Sequence, residues 1–511
     1  MDGKYGLDDL NWQSQGGTDD PAENRLKPVR RSKRSSIPSI IIASLLVICS
    51  LAGVVVLWMT GLLPTGWLIA AVAADLVITA VTAILLLVSR PCSHPVRFIC
   101  STILAVVVMV VNIGVVKMGS DYINFGHGIQ APPTDTVLYD IVVLDPGPSD
   151  ITALKGTPMG EVSGDNLSQA VHAKVATLVD VTYQPSDTWN DLITALTSKD
   201  VSSIVIFDGY MQILEDADPT TFGTLTVLTS FEIDSSLAQT PGATSSPSAS
   251  PTPVPAGGAY VLYISGIDTY GAVSTRSRSD VNMLMVVNPS TGKILLVNTP
   301  RDFYVQLRGK TGLKDKLTHA GIYGIDVSIG TMEDLYNTTI DYYVRINFSS
   351  LVTVIDALGG VDVDSAYDFS AQGFTFVKGM NHLTGAAALA FSRDRHDFAE
   401  GDRIRGENQQ RVIEGIIHKI TQPSVLLNYT SILSAIQSSM QTSMPQDVIS
   451  AQVRQQLATN ESWSVNSISV NGSDGLDYTY SYPNQRLYVM IPDQSTVATA
   501  IAQIDATLQG Q

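Results

Sequence analysis

Two stretches of this chain collect residue types that can grip a phosphate. The first is spread over three short, β-branched or aliphatic runs, 260–266, 281–288 and 293–298, the last two joined by the tight-turn sequence Pro289-Ser290-Thr291-Gly292. In an antiparallel meander, the end of the first run, the start of the second and the end of the third lie at one sheet edge. Asp268, Arg278, Asp280 and Arg301 occupy those positions. Arg278 and Asp280, two apart, share a face of an extended strand. Topology alone thus gathers two carboxylates and two guanidiniums, although an isolated quartet of this kind also reads as a surface ion-pair cluster.

The second stretch, 392–420, reads SRDRHDFAEGDRIRGENQQRVIEGIIHKI. Arg393 and Arg395 alternate and can share a face. A helix is predicted from near Asp402. At 100° per residue Asp402, Arg405 and Gln409 fall in one narrow arc, with Val412, Ile413, Ile416 and Ile420 in or beside it, while Arg403 and Arg411 fall outside. A charged group on a core-facing stripe costs several kcal/mol unless paired, so this arc calls for an ion pair or a ligand. Arginine forks match phosphate oxygens bidentately, and a helix N-terminus adds positive partial charge. Several arginines with two aspartates suit a pyrophosphate together with a hard cation such as Mg²⁺. The aspartates can equally serve by orienting the arginines with no metal.

The rest of the chain must position these groups. Three apolar runs, 38–60, 66–89 and 98–118, have the length needed to span a bilayer as helices. Arg25, Lys27, Arg30, Arg31, Lys33 and Arg34 precede the first, and Arg90 and Arg97 lie between the second and third. The positive-inside rule then places a tail, 1–37, and the second loop in the cytoplasm, and everything after 120 outside the cell. Asp75 is the one ionisable group deep in a span, and reads either as functional or as a helix-packing residue. Residues 136–234 read as a small α/β accessory unit: strands at 137–144 and 201–207, helices at 166–178 and 186–198, and another strand within 175–183. Its acidic residues are scattered and read as solvated surface. The Pro/Ser/Thr-rich run 239–258 reads as a linker, and 259–511 as a second, larger unit. Further strands are expected at 464–470 and 485–491, and a helix at 495–508.

Composition excludes several functions. The formal net charge of −17 argues against a nonspecific nucleic-acid binder. Cys49, Cys92 and Cys100 all lie in or between the apolar runs, so the region after 120 carries neither a disulfide nor a cysteine zinc site. The ALGGV run at 357–361 lacks the Lys-Ser/Thr of a phosphate loop and reads as a structural turn. Gly385-Ala-Ala-Ala388 reads as close helix packing. His319, His382, His396 and His418 make no metal-spaced pair, and only His396 lies near the arginines.

Taken in order, these motifs resemble the LytR–CpsA–Psr family. The matching segments are GID at 266–268, RSD at 278–280, PRD at 300–302, KL at 316–317, YYVRINF at 342–348, VIDALGGVDV at 354–363 and MNHLTGAAALAFSRDR ending at Arg395. The segment from Gly401 to Arg405 and Gln409 complete the set. Thr318 stands where Asn usually follows KL, and Asn298-Thr299 where a Ser is usual before PRD. Three spans, an accessory domain and then this domain look like the capsule-associated branch. The resemblance implies an α/β fold in which a central mixed sheet is flanked by helices and a hydrophobic slot takes a polyprenyl chain. It implies Mg²⁺- (or Mn²⁺-) assisted transfer of a glycan phosphate from polyprenyl pyrophosphate to a peptidoglycan hydroxyl, attaching capsule, teichoic acid or a similar polymer to the wall at the cell membrane. Asp268 and Asp280 would hold the cation. Arg278, Arg301, Lys316, Arg393, Arg395, Arg405 and Gln409 would hold the pyrophosphate, with Asp280, Arg278, Arg301 and Arg405 at the reacting centre, and Asp402 would orient the arginines. A polyprenyl pyrophosphatase and a noncatalytic lipid-glycan binder or regulator of wall assembly are the alternatives that the same residues allow.

Overall fold

The computed structural model describes residues 37–61, 63–89, 95–129, 135–238, 257–267, 272–394, 401–422, 425, 432, 436, 439–459 and 462–511, the side chains of 123–129 and 401–402 aside. The basic tail, the linker at 239–256, and Asp268, Arg395 and His396 lie outside them.

Three helices are long and apolar enough to cross a membrane: α1 (Ile37–Thr60), α2 (Thr65–Val88) and α3 (Pro95–Ile129), the last with an apolar stretch Pro95–Tyr122. The third is longer than its apolar run suggests, because nothing after residue 118 breaks the helix. The chain divides into two compact units, one of Met1–Leu51 and Ala74–Val111, the other of Ala52–Ala73 and Asn112–Gln511. Within the first, Leu46, Leu86, Ala105 and Val108 pack together and the Ser50 hydroxyl donates to Asp75, so this carboxylate ties α1 to α2.

In the second unit, the accessory region builds a five-stranded sheet from β1 (Thr136–Leu144), β2 (Pro158–Val162), α4 (Ser168–Ala176), β3 (Thr182–Ser186), α5 (Trp189–Thr197), β4 (Ser203–Phe207), α6 (Asp208–Ala217) and β5 (Leu225–Asp234). The order is β3-β2-β4-β1-β5, with β2 parallel to β3 and β4, and β1 antiparallel to β4 and β5. Thr188 caps α5 by accepting from Asp191 N, and Leu192, Ile193 and Leu196 bury its inner face. Three elements escape a reading of the sequence. β2 contains Pro and Gly, β5 is Thr-rich and half-exposed, and α6 follows β4 with no side-chain cap. The strand expected within 175–183 starts only at Thr182, since helix α4 runs to Ala176 and a turn follows it.

The larger region contains a six-stranded mixed sheet flanked by helices. Its strands are β6 (Tyr260–Ile267), β7 (Ser279–Asn288), β8 (Lys293–Thr299), β9 (Tyr342–Ile346), β10 (Met440–Thr442) and β11 (Ser464–Ser469), in the order β10-β9-β6-β7-β8-β11. β6, β7 and β8 form the expected antiparallel meander, while β9 and β11 pair parallel with β6 and β8. Alternation sorts the sheet's two faces. Val261, Tyr263, Leu284, Val286, Leu295 and Val297 pack on α7 (Ile325–Tyr336) and the C-terminal α12 (Gln494–Leu508). Tyr260, Leu262, Ile264, Met283, Ile294 and Leu296 face the side where α10 (Gly401–Ile420) packs through Ile417. α8 (Phe348–Ala357) and α9 (Gly385–Arg393) lie against each other, close enough that a Cβ on Gly385 would stand 2.3 Å from the Val352 carbonyl oxygen. The 357–361 run is the turn leaving α8, as its sequence implies. α11 (Gln446–Thr459) follows β10. The strand expected at 485–491 is β13 (Arg486–Pro492), which pairs with β12 (Gly472–Tyr478) in a separate ribbon.

The accessory region is joined to this sheet by a well-made seam. Trp189 Nε1 donates to Ser481 O at 3.2 Å, and Ile322, Tyr482 and Leu487 enter the accessory core. Arg345 of β9, 1% exposed, donates to Asp135 at 3.1 Å and to Thr275 O at 2.8 Å.

Candidate active site

The strand edge singled out by the sequence opens into a cavity of about 520 Å³. Arg278, Asp280, Arg301, Arg393, Arg405 and Gln409 all line it. Each arrives by a local rule. Arg278 and Asp280 flank the start of β7, Arg301 follows β8, Arg393 ends α9, and Arg405 and Gln409 are one turn apart on α10. Gly406 lets α10 close on the end of β8, since a Cβ there would meet Asn298 Nδ2 at 2.4 Å. Much of the remaining lining is aliphatic: Ile264, Val281, Ile346, Leu351, Leu389 and Val412. One cavity therefore combines guanidiniums with apolar side chains.

The charges are pre-positioned. Arg301 Nη1 donates to Asp280 Oδ1 at 2.9 Å, its Nε lies 3.5 Å from Asp302 Oδ2, and Thr318 Oγ1 donates to Asp280 Oδ1 at 3.2 Å. Thr318 thus places a hydroxyl on the site carboxylate. Burial pushes the Asp280 carboxyl up, but Arg301, Arg405 and Arg278 together outweigh it and bring it down to about 2. The Arg393 guanidinium lies over Phe348, 4.0 Å from the ring centre. Gln409 Nε2 sits 3.5 Å from Ser392 O.

Not every expected residue meets the cavity. Lys316 lies behind Arg301, its Nζ 3.0 Å from Asp302 Oδ1 and near the Tyr488 ring, and it is absent from the lining. Its ion pair makes it a support for Asp302. Asp268 and Arg395 lie outside the described residues, as does the Asp402 side chain. On α10, Arg403 is exposed and donates to Gly472 O at 2.9 Å, as its angle predicts. Ile420 is also exposed at the helix end, and Ile417 takes the buried place expected of it. His319 is fully buried with Asp315 and Ser481, both of which bond Nδ1 (2.7 and 2.8 Å).

The accessory region contributes what the sequence reading missed. Gln212, Glu215 and Asp216 of α6 line the same cavity. Asp216 Oδ2 is 2.7 Å from Arg278 Nη1 and 3.9 Å from Arg301 Nη2, and Glu215 is 3.8 Å from Arg278 Nη2. These acids read as solvated because their partners are more than sixty residues away in sequence. Behind them, Gln212 accepts from Arg278 N at 3.1 Å and donates to Asp208 at 2.5 Å. Burial, and then the neighbouring Asp140 carboxylate, push the Asp208 carboxyl up to about 7. A folded value above the unfolded one, about 4, gives stability that is full below pH 4 and is lost as pH rises through 7. The parent chain is therefore expected to lose unfolding midpoint between about pH 4 and 7, and Asp208→Asn to flatten that fall. A fall of equal size in the variant would remove Asp208 as its source.

The sequence between residues 227 and 498 matches the model of the LytR_cpsA_psr family, over half of the chain. The protein belongs to this family. A Bacillus anthracis relative named polyisoprenyl-teichoic acid–peptidoglycan teichoic acid transferase TagU is 38% identical over 187 residues, covering 36% of this chain and 61% of that relative. A relative of the same name from Enterococcus faecalis is 37% identical over 191 residues, covering 37% and 62%. The chain thus matches less than two thirds of these relatives' length. Among solved structures, the crystal structure of B. subtilis TagV is similar over 50% of this chain and 98% of that one, at 26% identity and a TM-score of 0.43. Family membership covers the guanidinium cavity, whereas α6 with Asp216 and Glu215 precedes the matched segment.

Proposed function

We propose that this protein transfers a glycopolymer phosphate from a polyprenyl-pyrophosphate carrier to a peptidoglycan hydroxyl on the outer side of the cell membrane. The observation that carries this reading is the single cavity joining four arginines to aliphatic side chains, the complement of a pyrophosphate esterified to a lipid. The names of the relatives, teichoic acid transferases, support the class of polymer and acceptor.

In the reaction, the acceptor oxygen bonds to the glycan-bearing phosphorus and the bond from that phosphorus to the bridging oxygen breaks. Polyprenyl phosphate leaves with the bridging oxygen and takes up the acceptor's proton. Such transfer depends on alignment and charge stabilisation more than on a protein nucleophile. Arg278, Arg301, Arg393 and Arg405 line the cavity where charge would shift from one phosphate to the other. Asp280 holds Arg301 in place, and Asp302, braced by Lys316, holds it from behind.

Asp280 also suits a hard divalent cation. It is ionised, it lines the cavity, and its Oδ1 alone takes the Arg301 and Thr318 bonds. Mg²⁺ asks a protein for only one or two carboxylates beside substrate phosphates. Asp280, with Asp268 from the segment outside the described residues, would hold Mg²⁺ or Mn²⁺, which when bound would neutralise pyrophosphate charge.

The test gives the full chain in detergent a short polyprenyl-pyrophosphate glycan and peptidoglycan fragments, with products followed by mass spectrometry. Glycan–wall adducts are expected with Mg²⁺ and are expected to vanish with EDTA or Asp280→Ala. Polyprenyl phosphate without adduct would identify a pyrophosphatase. Lipid binding without turnover under every condition would reduce the protein to a binder.

A further inference from the structure

A second cavity, of about 450 Å³, lies beyond the carboxyl ends of β2 and β4 of the accessory sheet. Crevices at the carboxyl ends of parallel strands are where open α/β sheets take ligands, and the volume is that of a small-ligand site. The larger region closes it: Arg276, Lys310 and Tyr323 line it together with the accessory groups.

Its walls combine two chemistries. Tyr139, Phe207, Tyr210 and Tyr323 present aromatic rings. Between them stand carboxylates and cations in equal number, Glu161 and Asp165 against Arg276 and Lys310, with Asn166, Ser163 and Ser168 nearby. The polar groups are braced. Tyr139 donates to Asp165 at 2.5 Å, His172 pairs with Glu161 at 2.6 Å and stacks on Tyr183, and Lys310 Nζ stands 4.0 Å over the Tyr323 ring. A simple anion would face two carboxylates here, and a lipid chain would face four charges. A ligand without large net charge fits, if it is rich in groups that both donate and accept and has apolar C–H faces to lay on rings.

We infer that this interdomain cleft binds a saccharide. It lies next to the guanidinium cavity: Tyr210 and Arg276 line one, and Gln212 and Arg278, two residues on in each segment, line the other. A sugar in the cleft is thereby held beside the anion site. Its identity as part of the transferred glycan or of the acceptor rests on the transferase reading above, whereas the binding itself does not.

Trp189 stacks on Tyr210, ring centres 5.4 Å apart, and so reports on the cleft by fluorescence. The test titrates the full chain in detergent with chitotriose, an N-acetylated amino-sugar oligomer, and with maltotriose, a plain hexose oligomer. Trp189 emission, isolated by replacing Trp12, Trp58, Trp67 and Trp463 with Phe, and saturation-transfer NMR of the sugar are read together. At least one sugar is expected to bind, and to bind about tenfold or more weakly to Lys310→Gln and to Asp165→Asn, the effect of losing one well-placed hydrogen bond. Asp280→Asn, in the other cavity, is expected to leave binding unchanged. Preference for chitotriose would assign the cleft to the wall glycan, and preference for maltotriose to the transferred polymer. Lys310→Gln keeps the result interpretable should Asp165→Asn disturb the turn into α4. Absence of binding by both sugars overturns the inference. So does binding lost in Asp280→Asn but kept in both cleft variants, or displacement of the sugar by inorganic phosphate. Sugar binding without turnover would sink the transferase and leave the cleft, while turnover without sugar binding would do the reverse.

Discussion

Arg301→Ala is expected to lower turnover of the proposed polyprenyl-pyrophosphate substrate about 10²- to 10³-fold, the usual cost of removing one pre-positioned donor from developing charge. Arg301 is held from several sides: its guanidinium lies 2.9 Å from Asp280, 3.5 Å from Asp302 and 3.9 Å from Asp216. Three carboxylates fix the fork before substrate arrives, so no reorganisation is needed as charge moves. Because the interaction strengthens in the transition state, the loss should fall on kcat more than on KM. Arg301→Lys keeps the charge but not the planar fork, and is expected to recover only part of the rate. The fold should survive both changes, since Asp302 retains Lys316 and Asp280 retains Arg278 and Arg405 nearby. The check is single-turnover kinetics beside an unfolding curve. A loss of less than about tenfold, with the fold intact, would remove Arg301 from charge stabilisation.

The second large effect is on stability. Arg345→Ala is expected to cost about 3–5 kcal/mol, the range for removing one partner of a buried ion pair. Arg345 is 1% exposed and reaches out of β9 to Asp135 and the Thr275 carbonyl, fastening the accessory region to the central sheet. Its removal leaves the carboxylate, among the described residues, with Arg276 at 3.4 Å. Urea unfolding of the full chain, followed by emission with Trp189 as the sole tryptophan, measures the loss at the seam itself. Adding Asp135→Asn to Arg345→Ala should recover part of it, because the stranded charge is gone. A cost below about 1 kcal/mol would mean that the pair behaves as a solvated one.

The parts of the site that were legible in the sequence share one property: a short period governs them. The meander at 260–298 follows from alternating aliphatics and one turn sequence, and it carries Arg278, Asp280 and Arg301 to one edge as expected. The 3.6-residue period of α10 places Arg405 and Gln409 inward and Arg403 outward. The same arithmetic fails at Ile420, because it cannot tell where the helix outruns the sheet. Lys316 shows another limit. Its ion pair with Asp302, fourteen positions away, at 3.0 Å follows no period that the sequence displays.

By itself the sequence determined three membrane-length apolar helices, the meander, and the arginine arc of α10, since each depends on the chemistry of neighbours within a few residues. Only the tertiary structure decided that α6 of the accessory region brings Asp216 and Glu215 to Arg278, and that Arg276 and Lys310 close a second cleft against Asp165 and Tyr210. Those contacts arise where two separately patterned regions dock. The docking is driven by buried apolar surface at Trp189, Ile322 and Tyr482, which has no period and no direction along the chain.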